Sequence, residues 1–134
     1  MDIITVVIEM ANAISMDPRT KVGCVLVKDD VVISAGVNAL PYRASVDLND
    51  RALKNKVIVH AEINAVLNSP VDVAGSTAYV NYMPCKRCAS ALAAYGITAV
   101  VIPPQQSNSD WEASWAAART VLQQRGVTLT EEAA

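Results

Sequence analysis

The sequence has little positive charge and no long apolar run. Its 134 residues include 11 lysines and arginines against 13 acidic residues, a net charge of −2. Proteins that bind long nucleic acid usually present a basic stripe, so this balance argues against such a partner. No segment approaches the roughly 20 apolar residues of a membrane span, and the start MDIITVVIEM lacks the positive charge of a signal peptide. We therefore expect a soluble, cytoplasmic protein that contacts neither long nucleic acid nor a membrane.

Cysteine is also scarce. The chain has three cysteines, an odd number that does not suit a disulfide scaffold. Cys85 and Cys88 stand three residues apart, and in a reducing compartment such a pair indicates metal or redox chemistry. Cys24 lies in a β-branched run, and we expect it to be a small buried strand residue.

Apolar residues are abundant instead. They make up 52% of the chain, against 18% charged residues, which is typical of a globular protein. A length of 134 residues suits one domain, so residues 1–134 are expected to form a single unit. Surplus apolar surface on a small domain is often covered by another subunit, and we therefore expect a homo-oligomer.

The apolar pattern predicts both helices and strands. Periodicity over 2–15 predicts an amphipathic helix, and two β-branched runs at 22–28 and 31–37 predict a hairpin. Further helices are predicted at 47–55, 61–68, 85–96 and 109–125, and further strands at 76–82, 98–103 and 127–130. Because strand and helix alternate in the second half, strands there should pair in parallel. The expected fold class is α/β, a three-layer αβα sandwich around a five-stranded mixed sheet.

The last helix carries its own sequence signals. SDWE has the pattern of a capping box, in which Ser109 caps the helix and Glu112 returns the hydrogen bond. Trp111 and Trp115 stand at helical spacing. That spacing indicates core or subunit-contact positions rather than a platform for stacking bases.

One histidine and one glutamate stand in the otherwise apolar run VIVHAEINAVL. A lone histidine is more often a hydrogen-bonded core residue than a ligand, but Glu62 follows His60 by two positions. Burying an unpaired carboxylate is costly, so Glu62 needs a partner or a raised pKa, and a metal-bound water would serve. Residues at i and i+2 do not share a helix face, so His60 should stand at the very start of the helix if both reach one site.

Cys85 and Cys88 offer two soft metal ligands. At i and i+3 they face one way in the first turn of a helix, where the helix dipole favours thiolate. Pro84 restricts the chain as it enters that turn. With His60 they make three ligands, and three protein ligands leave a fourth zinc position open, as in catalytic sites. Two alternatives stay open: a structural zinc with Cys24 as fourth ligand, and a redox role for the pair.

These motifs together resemble a known family. HAE is followed after 21 residues by PCKRC, which resembles the H-x-E…P-C-x-x-C signature of zinc-dependent nucleobase deaminases. SMDPRTKVGCVLV is similar to the S-K-D-P-x-T-x-V-G segment of deoxycytidylate deaminases, and SAGVNALP is similar to their G-Y-N-G-x-P turn. The resemblance to cytidine and deoxycytidylate (dCMP) deaminases covers nearly all of the chain.

The resemblance implies a fold, a cofactor and an activity. The fold would be cytidine deaminase-like, and His60, Cys85 and Cys88 would bind one catalytic Zn²⁺ ion per chain. Glu62 would act as general acid and base in the hydrolytic deamination of dCMP to dUMP, with release of ammonia. Alternatives are a nucleoside, a free base, or a purine or pterin-type ring as substrate. The tRNA-editing branch is disfavoured by the negative charge, and a non-catalytic zinc-stabilised module is a further alternative.

The resemblance also implies substrate contacts. Asn38 would contact the sugar, and the segment Tyr82, Met83 and Pro84 would hold the base edge together with the backbone of Ala61. A 5′-phosphate has five candidate partners: Arg19, Lys21, Arg43, Arg51 and Lys54. For each of these cations a solvated surface position is the alternative.

A few positions depart from the family pattern. Met16 replaces a family lysine, Val37 a tyrosine, and Ala39 the second glycine of the turn. The chain also lacks the residues for the additional zinc site of the larger allosteric members. These departures fall on the parts of the family pattern that concern phosphate recognition and control by a nucleotide effector.

Overall fold

The computed structural model describes residues 2–134. These residues form five helices and five strands, which alternate only from the third helix onwards. The helices are α1 (Ile3–Ile14), α2 (Arg51–Val57), α3 (Ala61–Asn68), α4 (Lys86–Ala94) and α5 (Glu112–Gln124). The strands are β1 (Gly23–Lys28), β2 (Val31–Val37), β3 (Thr77–Val80), β4 (Ala99–Ile102) and β5 (Thr128–Glu131). Every predicted helix and strand is present, with ends that differ by a few residues.

The start of α5 differs from the prediction. Its N-cap residue is Trp111, which makes no side-chain capping bond. Asn108 makes the preceding turn, because its Oδ1 accepts the N–H of Asp110 at 3.0 Å and its carbonyl accepts the N–H of Trp111 at 3.1 Å. The prediction that Ser109 caps this helix is therefore wrong.

The strands form one mixed sheet in the order β2-β1-β3-β4-β5. β1 pairs antiparallel with both β2 and β3. β3 and β4 are parallel, and so are β4 and β5. The predicted parallel pairing in the second half of the chain is confirmed.

Helices cover both faces of the sheet. One face carries the main core, where Leu26 of β1 and Val100 of β4 pack with residues of α3, α4 and α5. Side chains alternate between the two faces along a strand. Gly23, three positions before Leu26 in β1, therefore faces the opposite side of the sheet, where it lies against α1. The structure therefore has the predicted αβα layers, with one helix on one face and three on the other. No helix within residues 2–134 combines the length and apolarity that crossing a bilayer requires.

A glycine in β2 lets α3 lie unusually close to the sheet. A Cβ atom on Gly36 would lie 2.5 Å from the backbone nitrogen of Ala65 and 2.8 Å from the carbonyl oxygen of Ala61. Real Cβ atoms essentially never make such short contacts. Because position 36 has no side chain, the backbone of α3 can pack directly against β2.

Candidate active site

His60 and Cys85 occupy equivalent places in two helices. Each is an N-cap residue with extended backbone, His60 for α3 and Cys85 for α4. Cys88 lies in the first turn of α4. The ligand atoms of the three residues all lie within 4.8 Å of one another. His60 Nδ1 is 3.2 Å from Cys88 Sγ and 3.6 Å from Cys85 Sγ.

These distances fit a zinc ion. Zinc–nitrogen bonds of about 2.0 Å and zinc–sulfur bonds of about 2.3 Å in a tetrahedron place ligating nitrogen and sulfur about 3.5 Å apart. The two observed nitrogen–sulfur distances, 3.2 and 3.6 Å, lie on either side of that value. Within residues 2–134 the group contains no fourth histidine, cysteine or carboxylate ligand. Cys24 is fully buried in β1 and lies outside the group, so the structural site that needs it is not supported.

The contact between the two thiols shifts their pKa values in opposite directions. The contact with Cys88 is the main reason that the pKa of Cys85 is lowered to about 3, and His60 and the N–H of Cys88 add to the effect. The same contact, together with burial, raises the pKa of Cys88. Metal ligation requires deprotonated thiols. A divalent cation would therefore bind both as thiolates, in the first turn of a helix where the dipole stabilises negative charge.

Glu62 is a buried acid next to this group. It is the second residue of α3 and only 4% exposed. Burial raises the pKa of its carboxyl group, and its own backbone N–H and His60 offset part of that rise. A carboxyl group with a raised pKa holds a proton more readily than a free one, and such a group can both accept and donate protons.

A large cavity opens onto His60 and Glu62. Its volume is about 1190 Å³. Most of the wall comes from the loop between α1 and β1, helix α2, the segments that begin α3 and α4, the loop between β4 and α5, and the first turn of α5. The cavity therefore combines segments that are far apart in the sequence.

Four of the five predicted base and sugar contacts line this cavity. Ala61, Tyr82, Met83 and Asn38 are lining residues. Pro84 is fully buried and is not a lining residue. Met83 donates its N–H to Gln105 Oε1 at 3.1 Å, so its carbonyl is the backbone group that stays available.

Asn38 also has a structural role that was not predicted. Its Oδ1 accepts the N–H of Val22 at 3.1 Å and the hydroxyl of Ser15, and its Nδ2 donates to the carbonyl of Thr20 at 2.7 Å. One amide hydrogen is left over, since the amide nitrogen carries two. Asn38 therefore holds the loop between α1 and β1 and can still donate one hydrogen bond to a ligand.

The predicted phosphate cations fall into three groups. Lys54 is almost fully buried and pairs with Asp17 at 2.7 Å, and Lys21 Nζ donates to two backbone carbonyls. Arg43 is not a lining residue, and its guanidinium lies 5.2 Å above the ring of Tyr42.

Arg19 and Arg51 are exposed lining residues, and no ion pair is found for either within residues 2–134. Of the five predicted cations, these two arginines are the best placed to meet an anionic group.

Sequence reasoning missed several lining residues. Lys86 and Arg87 line the cavity and stand between the two cysteines. Their place within the CKRC motif was the sequence signal that could have indicated their closeness to the metal group. Gln105, Trp111 and Ser114 come from the end of the chain that packs on α4. Their position follows from helix packing, which no local pattern in the sequence revealed.

The fold and the site together define a zinc-dependent hydrolase with a buried glutamate beside its metal ligands. The chain belongs to the family described as "Cytidine and deoxycytidylate deaminase zinc-binding region", which matches residues 2–103. The predictions of this family, of the fold, of zinc as cofactor and of a deaminase are thereby confirmed. The homo-oligomer and the cytoplasmic location stay predictions.

Individual relatives agree with this assignment. The chain is 32% identical over 126 residues to an uncharacterized deaminase in the luxG 3′ region of Aliivibrio fischeri, covering 91% of this chain and 86% of that protein. It is 32% identical over 124 residues to human deoxycytidylate deaminase, covering 85% and 68%. The dCMP deaminase of cyanophage S-TIM5, solved in complex with dCMP and dUMP, has the same fold. It superimposes with a TM-score of 0.80 at 24% identity over 97% of this chain and 93% of that one.

Proposed function

We propose that this protein hydrolyses dCMP to dUMP and releases ammonia. The observation that carries the proposal is the buried Glu62 beside the His60, Cys85 and Cys88 group, in a cavity also lined by two exposed arginines. The human relative that matches most of the chain is named deoxycytidylate deaminase, which supports this substrate.

The metal group and Glu62 have separate tasks in this proposal. His60, Cys85 and Cys88 would hold zinc, which when bound supplies Lewis-acid activation of a water molecule. Glu62 accepts a proton from the attacking water and delivers it to N3 of the cytosine ring. Glu62 then takes up the second proton of that water and transfers it to the amino nitrogen on C4, which leaves as ammonia. The carboxyl group ends in the state in which it began, so water and dCMP yield dUMP and ammonia.

The backbone would orient the base. Ala61 is the first residue of α3, so its N–H has no acceptor within the helix. It would donate to O2 of the ring. The carbonyls of Tyr82 and Met83 would accept from the 4-amino group, and the remaining amide hydrogen of Asn38 would meet the sugar.

The phosphate would lie against Arg19 and Arg51. Arginine binds phosphate oxygens through two parallel N–H groups, which suits it to this role better than lysine. Lys54 is a poor candidate because its ammonium already pairs with Asp17. The proposal thus reduces the five predicted cations to two.

Ammonia release from dCMP, deoxycytidine, CMP, cytidine and cytosine tests the proposal. We expect kcat/KM for dCMP to exceed that for deoxycytidine by about 100-fold. Two charge-assisted hydrogen bonds, each worth about 1.5 kcal/mol or more, give a factor of that size. Equal kcat/KM values would contradict the phosphate contact, and no ammonia from any of these compounds would contradict the proposed function as a whole.

Two arginine variants locate the phosphate. Arg19→Gln and Arg51→Gln should each lower kcat/KM for dCMP and leave that for deoxycytidine unchanged. Arg43→Gln is the matched control, since Arg43 lies outside the cavity lining. A loss in the Arg43→Gln variant equal to that in the other two would contradict the assignment.

A further inference from the structure

The first turn of α5 is fastened to the segment that carries Cys85. The N–H of Lys86, the residue after Cys85, donates to Ser114 Oγ of α5 at 3.0 Å. On the other side of Cys85, the N–H of Met83 donates to Gln105 Oε1 at 3.1 Å. Residues 105–114 are thus held at two points to the segment that carries a metal ligand.

This attachment brings an aromatic residue to the cavity. Trp111 precedes Ser114 by three positions, and residues at that spacing lie on one side of a helix. Trp111 lines the cavity and is 47% exposed. Tyr82, from the other side of the Cys85 segment, also lines the cavity and is 45% exposed. Trp115 lines the cavity too, but it packs partly against the core.

The exposed aromatic rings and the two arginines proposed for the phosphate come from different walls of the cavity. Arg19 and Arg51 come from the loop before β1 and from α2, whereas the exposed aromatic rings of Trp111 and Tyr82 stand on segments that adjoin Cys85. The reacting carbon of a substrate must approach the metal group, so its ring would enter the cavity next to the Cys85 segment, to which the first turn of α5 is hydrogen-bonded. The charged end of the substrate is then free to reach the arginines.

We propose that Trp111 is a specificity-determining residue whose indole packs against the pyrimidine ring of the substrate. This inference rests on the proposed function and names a contact on α5 for it. When a planar ring covers an exposed indole, apolar surface is removed from water, which favours binding. Stacking between aromatic side chains and bases is a substantial source of affinity. The side chain of Trp111 makes no capping bond in α5, so its removal takes away a ring and no hydrogen bond.

Kinetics of Trp111→Ala and Trp111→Phe test this contact. We expect Trp111→Ala to raise KM for dCMP by about 10-fold to 100-fold, with kcat changed less than twofold. Zinc content and melting temperature should stay those of the wild type. Trp111→Phe retains an aromatic face and should recover most of the affinity. Tyr95→Ala is the matched control, since Tyr95 is 44% exposed and is not a lining residue.

Intrinsic fluorescence gives a second readout with the product dUMP as probe. The chain has two tryptophans, and both line the cavity. Titration with dUMP should quench the wild type, and Trp111→Phe should lose most of that quenching. The product binds without turnover, so this measurement separates ring contact from chemistry.

Three outcomes would overturn the inference. An unchanged KM for Trp111→Ala in an active enzyme would reject the contact while leaving the proposed function standing. A changed oligomeric state in gel filtration with unchanged KM would assign Trp111 to a contact with a second copy of the chain. Failure of the wild type to deaminate dCMP would reject the proposed function and this inference with it.

Discussion

The Nζ atom of Lys54 lies 2.7 Å from Oδ2 of Asp17, and both side chains are almost completely buried. The other carboxylate oxygen of Asp17 accepts the backbone N–H groups of Arg19 and Thr20, at 2.8 and 3.1 Å. The pair joins the loop between α1 and β1 to α2, and these are the two parts of the cavity wall that carry Arg19 and Arg51.

Breaking this ion pair should destabilise the fold strongly. Lys54→Met leaves a buried carboxylate without its partner, and the loss of one member of a buried pair costs about 3–5 kcal/mol in the free energy of unfolding. The double variant Asp17→Asn with Lys54→Met should recover part of that loss, because it buries no unpaired charge. Urea unfolding gives the free energy of unfolding of both variants. Lys56→Met, an exposed lysine of the same helix, is the control and should change stability by less than about 0.5 kcal/mol.

The stabilisation by Asp17 should be lost in acid. Burial by itself would raise the pKa of Asp17, but hydrogen bonds from Lys54, Arg19 and Thr20 outweigh it and lower the pKa below the usual 3.8. A carboxyl group with a lowered pKa in the folded state stabilises the protein above its unfolded pKa and ceases to do so as pH falls through its folded pKa. The difference in unfolding free energy between wild type and Asp17→Asn should therefore be largest above pH 3.8 and narrow below it.

Unfolding curves of the two proteins between about pH 2.5 and about pH 7, a range that includes the reference pKa of aspartate, would reveal this narrowing. Both proteins lose zinc together in acid, so their difference reports on position 17. A difference that stays constant as the pH falls would show that Asp17 acts by shape and not by charge.

Replacing Glu62 with glutamine should abolish catalysis without releasing zinc. Proton transfer by a positioned side chain contributes about 10²-fold to 10⁴-fold to rate, and an amide cannot carry the proton. We expect kcat to fall by about that factor, while zinc measured by atomic absorption stays at the wild-type level. Glu9→Gln, on the exposed side of α1, is the control. Residual activity near that of the wild type would exclude Glu62 as the general acid and base.

Adding a methyl group at Gly36 should loosen the metal site. The new Cβ would meet the backbone of Ala61 and Ala65, so α3 must move away from β2 and take His60 with it. We expect Gly36→Ala to cost about 1–3 kcal/mol of stability, as overpacking does, and to weaken zinc binding in competition with a chelator. Gly75→Ala is the control. Gly75 has a φ of +84° and nothing within 4 Å of a Cβ, so backbone strain should lower its stability while zinc affinity stays unchanged.

Much of the fold was predictable because its signals are local. Apolar patterns and the signals for turns and helix ends located the helices and strands to within a few residues, and the helix 61–68 was predicted with the bounds it has. The relation between His60 and Glu62 was also predictable, since two residues at i and i+2 reach one site only if the first stands at a helix start. His60 is indeed the N-cap of α3.

The order of the strands and the state of the cations were not predictable. Nothing local in the sequence indicates that β1 lies between β2 and β3. In the sequence, nothing distinguishes Lys54 from the other lysines of a cationic stretch. Only the structure shows that it is buried and paired with Asp17. Trp111 and Trp115 were expected in a core or subunit contact, and both line the cavity because α5 packs on α4.

The sequence by itself indicated the chemistry of this protein: two thiolate ligands and one imidazole ligand, one buried acid and the helix starts that present them. These follow from residue type and spacing over a few positions. Only the tertiary structure decided which of the predicted cations stay unpaired and which aromatic rings line the cavity that opens onto His60 and Glu62. Such relations depend on contacts between residues that are distant in the chain, and packing brings those residues together only after the whole sheet has formed.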